Sequence, residues 1–332
     1  AVPLIYSLFG TGQNHNGQLG LGDNTLRVLF TAVTGAWDAI ACGSGHSLAL
    51  SGNKLFTAGL NISGQLGLGD TDDRSSFTQV PGNWDAISCG GYQSLALSGN
   101  KLFDTGDNRF GQLGLGDTDN RSSFTQVPGN WDAIESGAMH SLALSGNKIF
   151  AVGYNLWGQL GLGDTANRSS FTQVPGNWDA ISCGGYQSFA LSGNKLFATG
   201  YNYHGQLGLG DTAIRSSFTQ VSGNWTAIST SYFHSLALSG TKMHSTGFNY
   251  NGQLGLGDTA NRSSFTQVSG NWTAIAAGGE HSLALSGTKM FSTGSYQQGT
   301  GQITDKVSFT EVSGNWDAIA TGTYFSFALS AH

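Results

Sequence analysis

Short apolar runs alternating with small polar residues dominate the chain, and the same runs return on a fixed schedule. In HSLALSG (46–52) Leu48 and Leu50 point one way and Ser47, Ala49 and Ser51 the other, the period-two pattern of a half-buried strand. Each copy supplies four such segments: WDAISCG, HSLALSG, NKLFATG and SSFTQV, here strands A to D. The SGNK turn between B and C, and PGN or SGN ahead of A, carry hairpin chemistry. Between C and D stands GQLGLGD, beginning at Gly17, Gly64, Gly111, Gly158, Gly205 and Gly252, each 47 residues after the last; a decayed copy, GTGQITD, begins at Gly299. Trp37, Trp84, Trp131, Trp178, Trp225 and Trp272 keep the same step. Trp316 comes three residues early, which reads as a loss from the loop spelled TANRSS elsewhere. Seven copies of four strands predict an all-β repeat fold, with a period in the range of propeller blades.

Repeats that carry GQLGLGD followed by HSLALSGNKLFATG resemble those of the regulator of chromosome condensation superfamily. The resemblance covers essentially the whole chain and implies a seven-bladed β-propeller of four-stranded antiparallel blades. The ends agree with it: LIYSLF (4–9) matches strand C, and residues 316–330 supply a final A and B. Residues 1–332 are thus expected to form one propeller domain. Residues 1–33 would complete the blade begun by 316–330, closing the ring and removing free sheet edges. The constant motif reads as scaffold. Its glycines suit backbone conformations closed to other residues, and Gln18, Asp23 and their copies suit turn capping or blade-to-blade ties. The repeated Asp lacks the pattern of a calcium loop.

Composition narrows the function. Gly is abundant at 51 residues, Pro scarce at 4, and only 10% of residues are charged, which argues for short strands and tight turns. The net charge is −6. Lys54 and its five copies sit in one repeated turn and Arg27 and its five copies in one repeated loop, leaving only Arg109 and Lys306 outside these series. No basic patch results, so nucleic acid is not an expected partner. No apolar run approaches the roughly 18 residues of a membrane span. The start, AVPLIYSLFG, does not read as a signal peptide. Cys42, Cys89 and Cys183 occupy one column, an odd number at equivalent sites, and read as small strand residues rather than a disulfide framework.

Variation between copies is confined to one rim. Antiparallel connections alternate between the two rims of the disc, so A–B and C–D loops share one and B–C and D–A turns the other. The window before GQLGLGD reads QNHN, LNIS, DNRF, YNLW, YNYH, FNYN and SYQQ; the A–B window reads GSGH, GGYQ, GAMH, GGYQ, SYFH, GGEH and GTYF. Both lie on the A–B/C–D rim, and the Asn in second place in six copies of the first window suits a turn cap. Drift would favour small polar residues, yet the A–B column holds Tyr92, Met139, Tyr186, Phe233 and Tyr324. The other window adds Arg109, Phe110, Tyr154, Trp157, Tyr201, Tyr203, Phe248, Tyr250 and Tyr296. Rings with an Arg are the composition of interface hot spots and of paratopes. DAIACGSGHSLAL (38–50) is also similar to the repeats of the bacterial propeller-type β-lactamase inhibitor protein. That resemblance implies aromatic loop contacts on one face, not that target.

Catalytic chemistry is not evident. His46, His140, His234 and His281 share a column with Gln93, Gln187 and Phe325, which suits a hydrogen-bonding group better than a metal ligand. His204 and His244 stand apart from any pattern. No Ser–His–Asp, Cys–His or phosphate-loop constellation stands out. The expected function is therefore non-enzymatic and cofactor-free: recognition of a protein partner through the aromatic rim. Diversified tips on uniform blades suit a phage or bacterial surface adhesin, or an inhibitor, in a secreted or virion- or cell-surface setting. Carbohydrate binding, a structural part in a larger assembly and guanine-nucleotide exchange are the competing readings.

Overall fold

The computed structural model describes residues 6–295, 299–301 and 304–331. Leu4, Ile5 and Tyr296 lie outside them. Seven four-stranded antiparallel sheets make up the described residues, and no helix occurs among them. Blade 1 shows the pattern: β3 (Ala39–Cys42), β4 (His46–Ser51), β5 (Lys54–Gly59) and β6 (Arg74–Val80), paired in that order. Blades 2 to 6 begin at Ala86, Ala133, Ala180, Ala227 and Ala274. Blade 7 joins both ends of the chain, in the order β2 (Arg27–Trp37), β1 (Tyr6–Gly12), β28 (Phe325–Ala331) and β27 (Ala318–Thr321). Strands β1 and β28 pair in unbroken register from Tyr6↔Ala331 to Gly12↔Phe325, so the ring closes by hydrogen bonds inside one blade.

Three devices hold neighbouring blades together. The first is aromatic. Each Trp at a D–A corner meets a C-strand ring edge-on and a D-strand ring at a tilt: Trp131 lies 5.4 Å from Phe150 and 4.8 Å from Phe171. In one copy His244 replaces the C-strand Phe, 5.2 Å from Trp225, so this histidine is a core ring.

The second device is the GQLGLGD loop, which clasps the following blade. In the loop of blade 7, Asn14 Oδ1 accepts the Leu19 N–H (2.8 Å) and Asn14 Nδ2 donates to the Asp23 carbonyl (2.8 Å), fixing the loop from inside. Gln18 Oε1 accepts the Asn16 N–H (3.0 Å) in the same loop, so this side chain caps its own turn. The ties to blade 1 come from the backbone: Gly22 N–H donates to the Ser75 carbonyl (2.8 Å), and Ser47 Oγ donates to the Gln18 carbonyl (2.8 Å). Gly20, at φ 66°, lies directly under the Phe77 ring, where a Cβ would overlap it; only glycine satisfies both demands. Arg27 grips Asp23 at 2.6 Å and closes the far end of the loop.

The third device is the His/Gln column. His46 Nε2 lies 2.9 Å from Ser94 Oγ of the next blade, and His140 stands likewise to Ser188. Ser94 spends its single proton on the Gln65 carbonyl (2.7 Å), so His46 must be the donor and carries its proton on Nε2. Gln93 makes the equivalent link, donating to Ser136 Oγ (2.9 Å) and the Gly137 carbonyl (3.0 Å). These histidines are structural cross-links.

The seventh clasp corrects the sequence reading. Thr300 bridges Leu29 as Leu256 bridges Ser308, and Gly301 N–H donates to Val28 O (3.0 Å) as Gly257 N–H does to Val307 O (2.8 Å). Gly299 underlies Phe30 as Gly255 underlies Phe309. The three missing residues therefore precede Gly299, where the other copies read GQL, and not the TANRSS loop. Lys306, paired with Gly294 as Arg262 is with Gly247, belongs to the arginine column. The equal spacing to Gly299 misled because the lost residues and the shifted motif cancel in the count.

Candidate functional site

The two variable windows are stapled side by side on one rim. In every blade the backbone carbonyl of the A–B column residue accepts the N–H of the first residue of the C–D window. Tyr92 O takes Asp107 N–H, Met139 O takes Tyr154 N–H, Tyr186 O takes Tyr201 N–H and Phe233 O takes Phe248 N–H, at 2.8–2.9 Å. Rings from the two windows, and from adjacent blades, are thereby brought within contact of one another.

A continuous ring array results. It starts at Arg109, whose guanidinium lies 6.0 Å above the Phe110 ring. Phe110 meets Tyr154 at 4.8 Å, and Tyr154 meets Tyr186 at 6.4 Å. Tyr186 leads to Tyr201 at 6.4 Å; Tyr201 packs on Trp157 at 5.2 Å and on Tyr203 at 4.9 Å. From Tyr201 the array runs to Phe233 at 6.3 Å, then to Phe248 at 6.3 Å, and ends on Tyr250 stacked at 6.4 Å. Ten of the residues expected from the sequence thus form one surface over blades 2 to 5. Tyr250 is 75% and Tyr203 55% exposed; Leu156, between Tyr154 and Trp157, is 56% exposed. Tyr92, Met139 and Tyr324 lie on the same rim but make no ring contact with the array among the described residues.

Two members escaped the sequence reading. His204 sits inside the array, 5.4 Å from Phe233 and 5.0 Å from Phe248, with its pKa lowered by burial. The signal was present: the last residue of one window meets the first of the next, as Phe110 meets Tyr154 and Trp157 meets Tyr201. Tyr232 is the second. It reaches across the axis from blade 5 to blade 1, where its hydroxyl lies 2.7 Å from Ser44 Oγ, while its ring stands 6.2 Å from Tyr186. Gly185 makes room for it, since a Cβ there would strike the Tyr232 ring. Below, the seven A–B loops line a cavity of only about 80 Å³. Replacing Tyr232 by Phe should lower stability by about 1 kcal/mol in urea titrations, the net worth of one hydrogen bond; no change would mean the hydroxyl contact is idle.

Charge is placed with care at one end of the array. Arg109 Nε and Nη2 each lie 3.0 Å from the Asp107 carboxylate, which is 2% exposed and also accepts Gln112 Nε2 at 3.0 Å. The guanidinium is held in a fixed pose while remaining 62% exposed. Cys42, Cys89 and Cys183 line the central cavity, and burial pushes all three thiols up, so they stay protonated. No cluster of three or more metal-ligating side chains occurs among the described residues.

A seven-bladed propeller with a loop-built aromatic face is the class of protein that these features define. The regulator of chromosome condensation (RCC1) repeat matches residues 7–50, 53–97, 147–191 and 242–285, more than half of the chain, and the chain belongs to that family. The fold is also that of human WBSCR16, at 20% identity, with 98% of this chain and 99% of that one covered and a TM-score of 0.89. Yeast RCC1 (Prp20), solved bound to Kap60, is 20% identical, with 99% and 89% covered and a TM-score of 0.91. Prp20p of Saccharomyces cerevisiae, described with its binding properties to Gsp1p and histones, is 21% identical, with 100% and 92% covered and a TM-score of 0.90. No curated protein matches the chain.

Proposed function

We propose that the chain is a non-enzymatic recognition module whose aromatic rim docks a protein. The observation that carries this reading is the continuity of the array: rings on four adjacent blades touch in series, so they present one patch rather than seven repeated sites. Repeated, separate sites would suit a lectin; one broad apolar patch with a fixed Arg at its edge suits a protein surface. Pre-packed rings also lose little rotamer freedom on docking. The yeast relatives, characterised with Kap60, Gsp1p and histones, are consistent with a family that binds proteins. A phage or bacterial surface setting, with a receptor or an inhibited enzyme as target, is the context we favour.

The test uses Trp157→Ala/Tyr203→Ala/Phe233→Ala and wild type as parallel baits, with circular dichroism to verify folding. A protein held by wild type and lost, by at least tenfold, in the triple variant is the expected result. Equal capture by both would sink the rim as the binding face. Capture of glycans alone on an array would replace the protein reading with the lectin one.

A further inference from the structure

One copy of the C–D window carries an ion pair where the other six hold no acid, Lys or Arg. Its first residue reads Gln13, Leu60, Asp107, Tyr154, Tyr201, Phe248 and Ser295 around the ring; its third reads His15, Ile62, Arg109, Leu156, Tyr203, Tyr250 and Gln297. Arg109 is also the only Lys or Arg in either variable window of any blade. The pair is built up from the clasp beneath it. In blades 1, 3, 4 and 5 the buried Gln of GQLGLGD leaves its Nε2 without a hydrogen-bond partner, at Gln65, Gln159, Gln206 and Gln253. In blade 2 the same atom of Gln112 donates to Asp107 Oδ2 (3.0 Å), while Gln112 Oε1 accepts the Phe110 N–H (2.9 Å). Asp107 therefore answers a donor that the other copies leave unmatched, and it is fixed from inside the loop.

Asp107 in turn fixes Arg109 by one edge only. Nε lies 3.0 Å from Oδ1 and 3.1 Å from Oδ2, and Nη2 lies 3.0 Å from Oδ2. The second edge of the guanidinium, Nη1 with the outer hydrogen of Nη2, makes no hydrogen bond among the described residues. It belongs to an exposed side chain that lies over Phe110, where the aromatic array begins. Two parallel donors in one plane match the two oxygens of a carboxylate. Because Asp107 and Gln112 hold that plane in advance, closing on a second acid costs little rotamer freedom.

We propose that the free edge of Arg109 grips one Asp or Glu side chain of the protein that docks on the array, and so sets that partner's register at the blade 2 end. This inference rests on the reading of the rim as the docking face. Charge selects the occupant. Asp107 already neutralises one unit, so the pair suits a single further negative charge. A phosphate dianion or a nucleic-acid strand calls for several cations, and neither variable window holds a second Lys or Arg, on a chain of net charge −6. A free small acid would leave the adjoining rings of Phe110 and Tyr154 uncovered, whereas an acid set among apolar residues of a protein covers them.

Selection from a library of displayed random peptides tests this. Peptides held by wild type and lost on Trp157→Ala/Tyr203→Ala/Phe233→Ala report on the rim, and they should carry an Asp or Glu beside apolar residues in clear excess over the library. For such a peptide, Arg109→Gln should weaken binding about tenfold or more, and so should replacing the peptide's acid by its amide. Both changes together should cost no more than either alone. Arg109→Lys, which keeps the charge but not the fork, should recover little. Circular dichroism identifies any variant that fails to fold, and the peptide change needs no variant at all. Rim-dependent peptides without an acid preference, or a preference that survives Arg109→Gln, overturn this inference and leave the docking face standing. Full recovery by Lys overturns the fork, and tighter binding of phosphoserine in place of the acid overturns the choice of carboxylate. Captured peptides that all survive the triple variant overturn the docking face itself.

Discussion

Acidification from pH 6.5 to 4.5 should cost the folded protein several kcal/mol, through four histidines. His46, His140, His234 and His281 are at least 97% buried, and burial lowers their pKa to about 4, 3, 3 and 4. The reason is visible at His46: Nε2 already donates to Ser94, while Nδ1 has no partner and faces Gly43, so a second proton would find no acceptor. Below pH 6.5 the unfolded chain binds these protons and the folded one does not, so stability falls with pH. Two acids oppose the loss. Burial raises Glu135 to about 7 and Asp104 well above the usual range, so the folded state keeps protons that the unfolded state releases. Four histidine protons taken up on unfolding outnumber the two that the acids release, so the net effect of acid is still destabilising. Converting all four histidines to Gln, the residue at 93 and 187, should therefore flatten or reverse the acid limb of a urea midpoint against pH plot. Glu135→Gln should steepen it. An unchanged limb in the quadruple variant would show that the column does not control acid stability.

Trp131→Ala should cost about 3–5 kcal/mol, the range for deleting a buried aromatic. The indole is 5% exposed, and its cluster draws Leu95, Leu97, Leu102 and Val127 from blade 2 and Ile134 and Ala143 from blade 3. Its loss therefore opens a seam, not just a pocket. Phe150→His provides the contrast, since His244 already fills that place against Trp225. It should cost less than half as much. Chemical denaturation of both variants decides, and near-equal losses would mean that the C-strand ring matters as much as the indole.

The blades were legible in the sequence because their causes are local and repeated: period-two strands, positive-φ glycines and a Trp at each corner all recur in the letters. The rim was legible for the same reason, since topology alone sends both variable windows to one side. What escaped was every feature created by contact between copies. The Tyr232–Ser44 bond crosses the axis between residues 188 apart in the chain. His204 looks solitary in sequence because its neighbours, Phe233 and Phe248, belong to the next blade. The position of the three-residue loss was hidden because a shortened loop and a shifted motif leave the spacing unchanged. The partner of Asp107 was also obscured: one copy replaces the usual Tyr, Phe or Leu by an acid, and only the fold shows Gln112 and Arg109 converging on it.

The loop clasps make successive blades interchangeable parts. Gly69 reaches the Ser122 carbonyl just as Gly116 reaches Ser169 and Gly163 reaches Ser216, so each clasp between blades 1 and 5 presents the same backbone chemistry to the blade that follows. Exchanging whole 47-residue cassettes there would reshuffle the rim without disturbing a clasp. Recombination between near-identical stretches could thus compose new surfaces from old tips in single steps. The loop of blade 6 closes the ring on Val28 and Leu29 with the same backbone contacts, so the last joint keeps its chemistry whatever order the cassettes take.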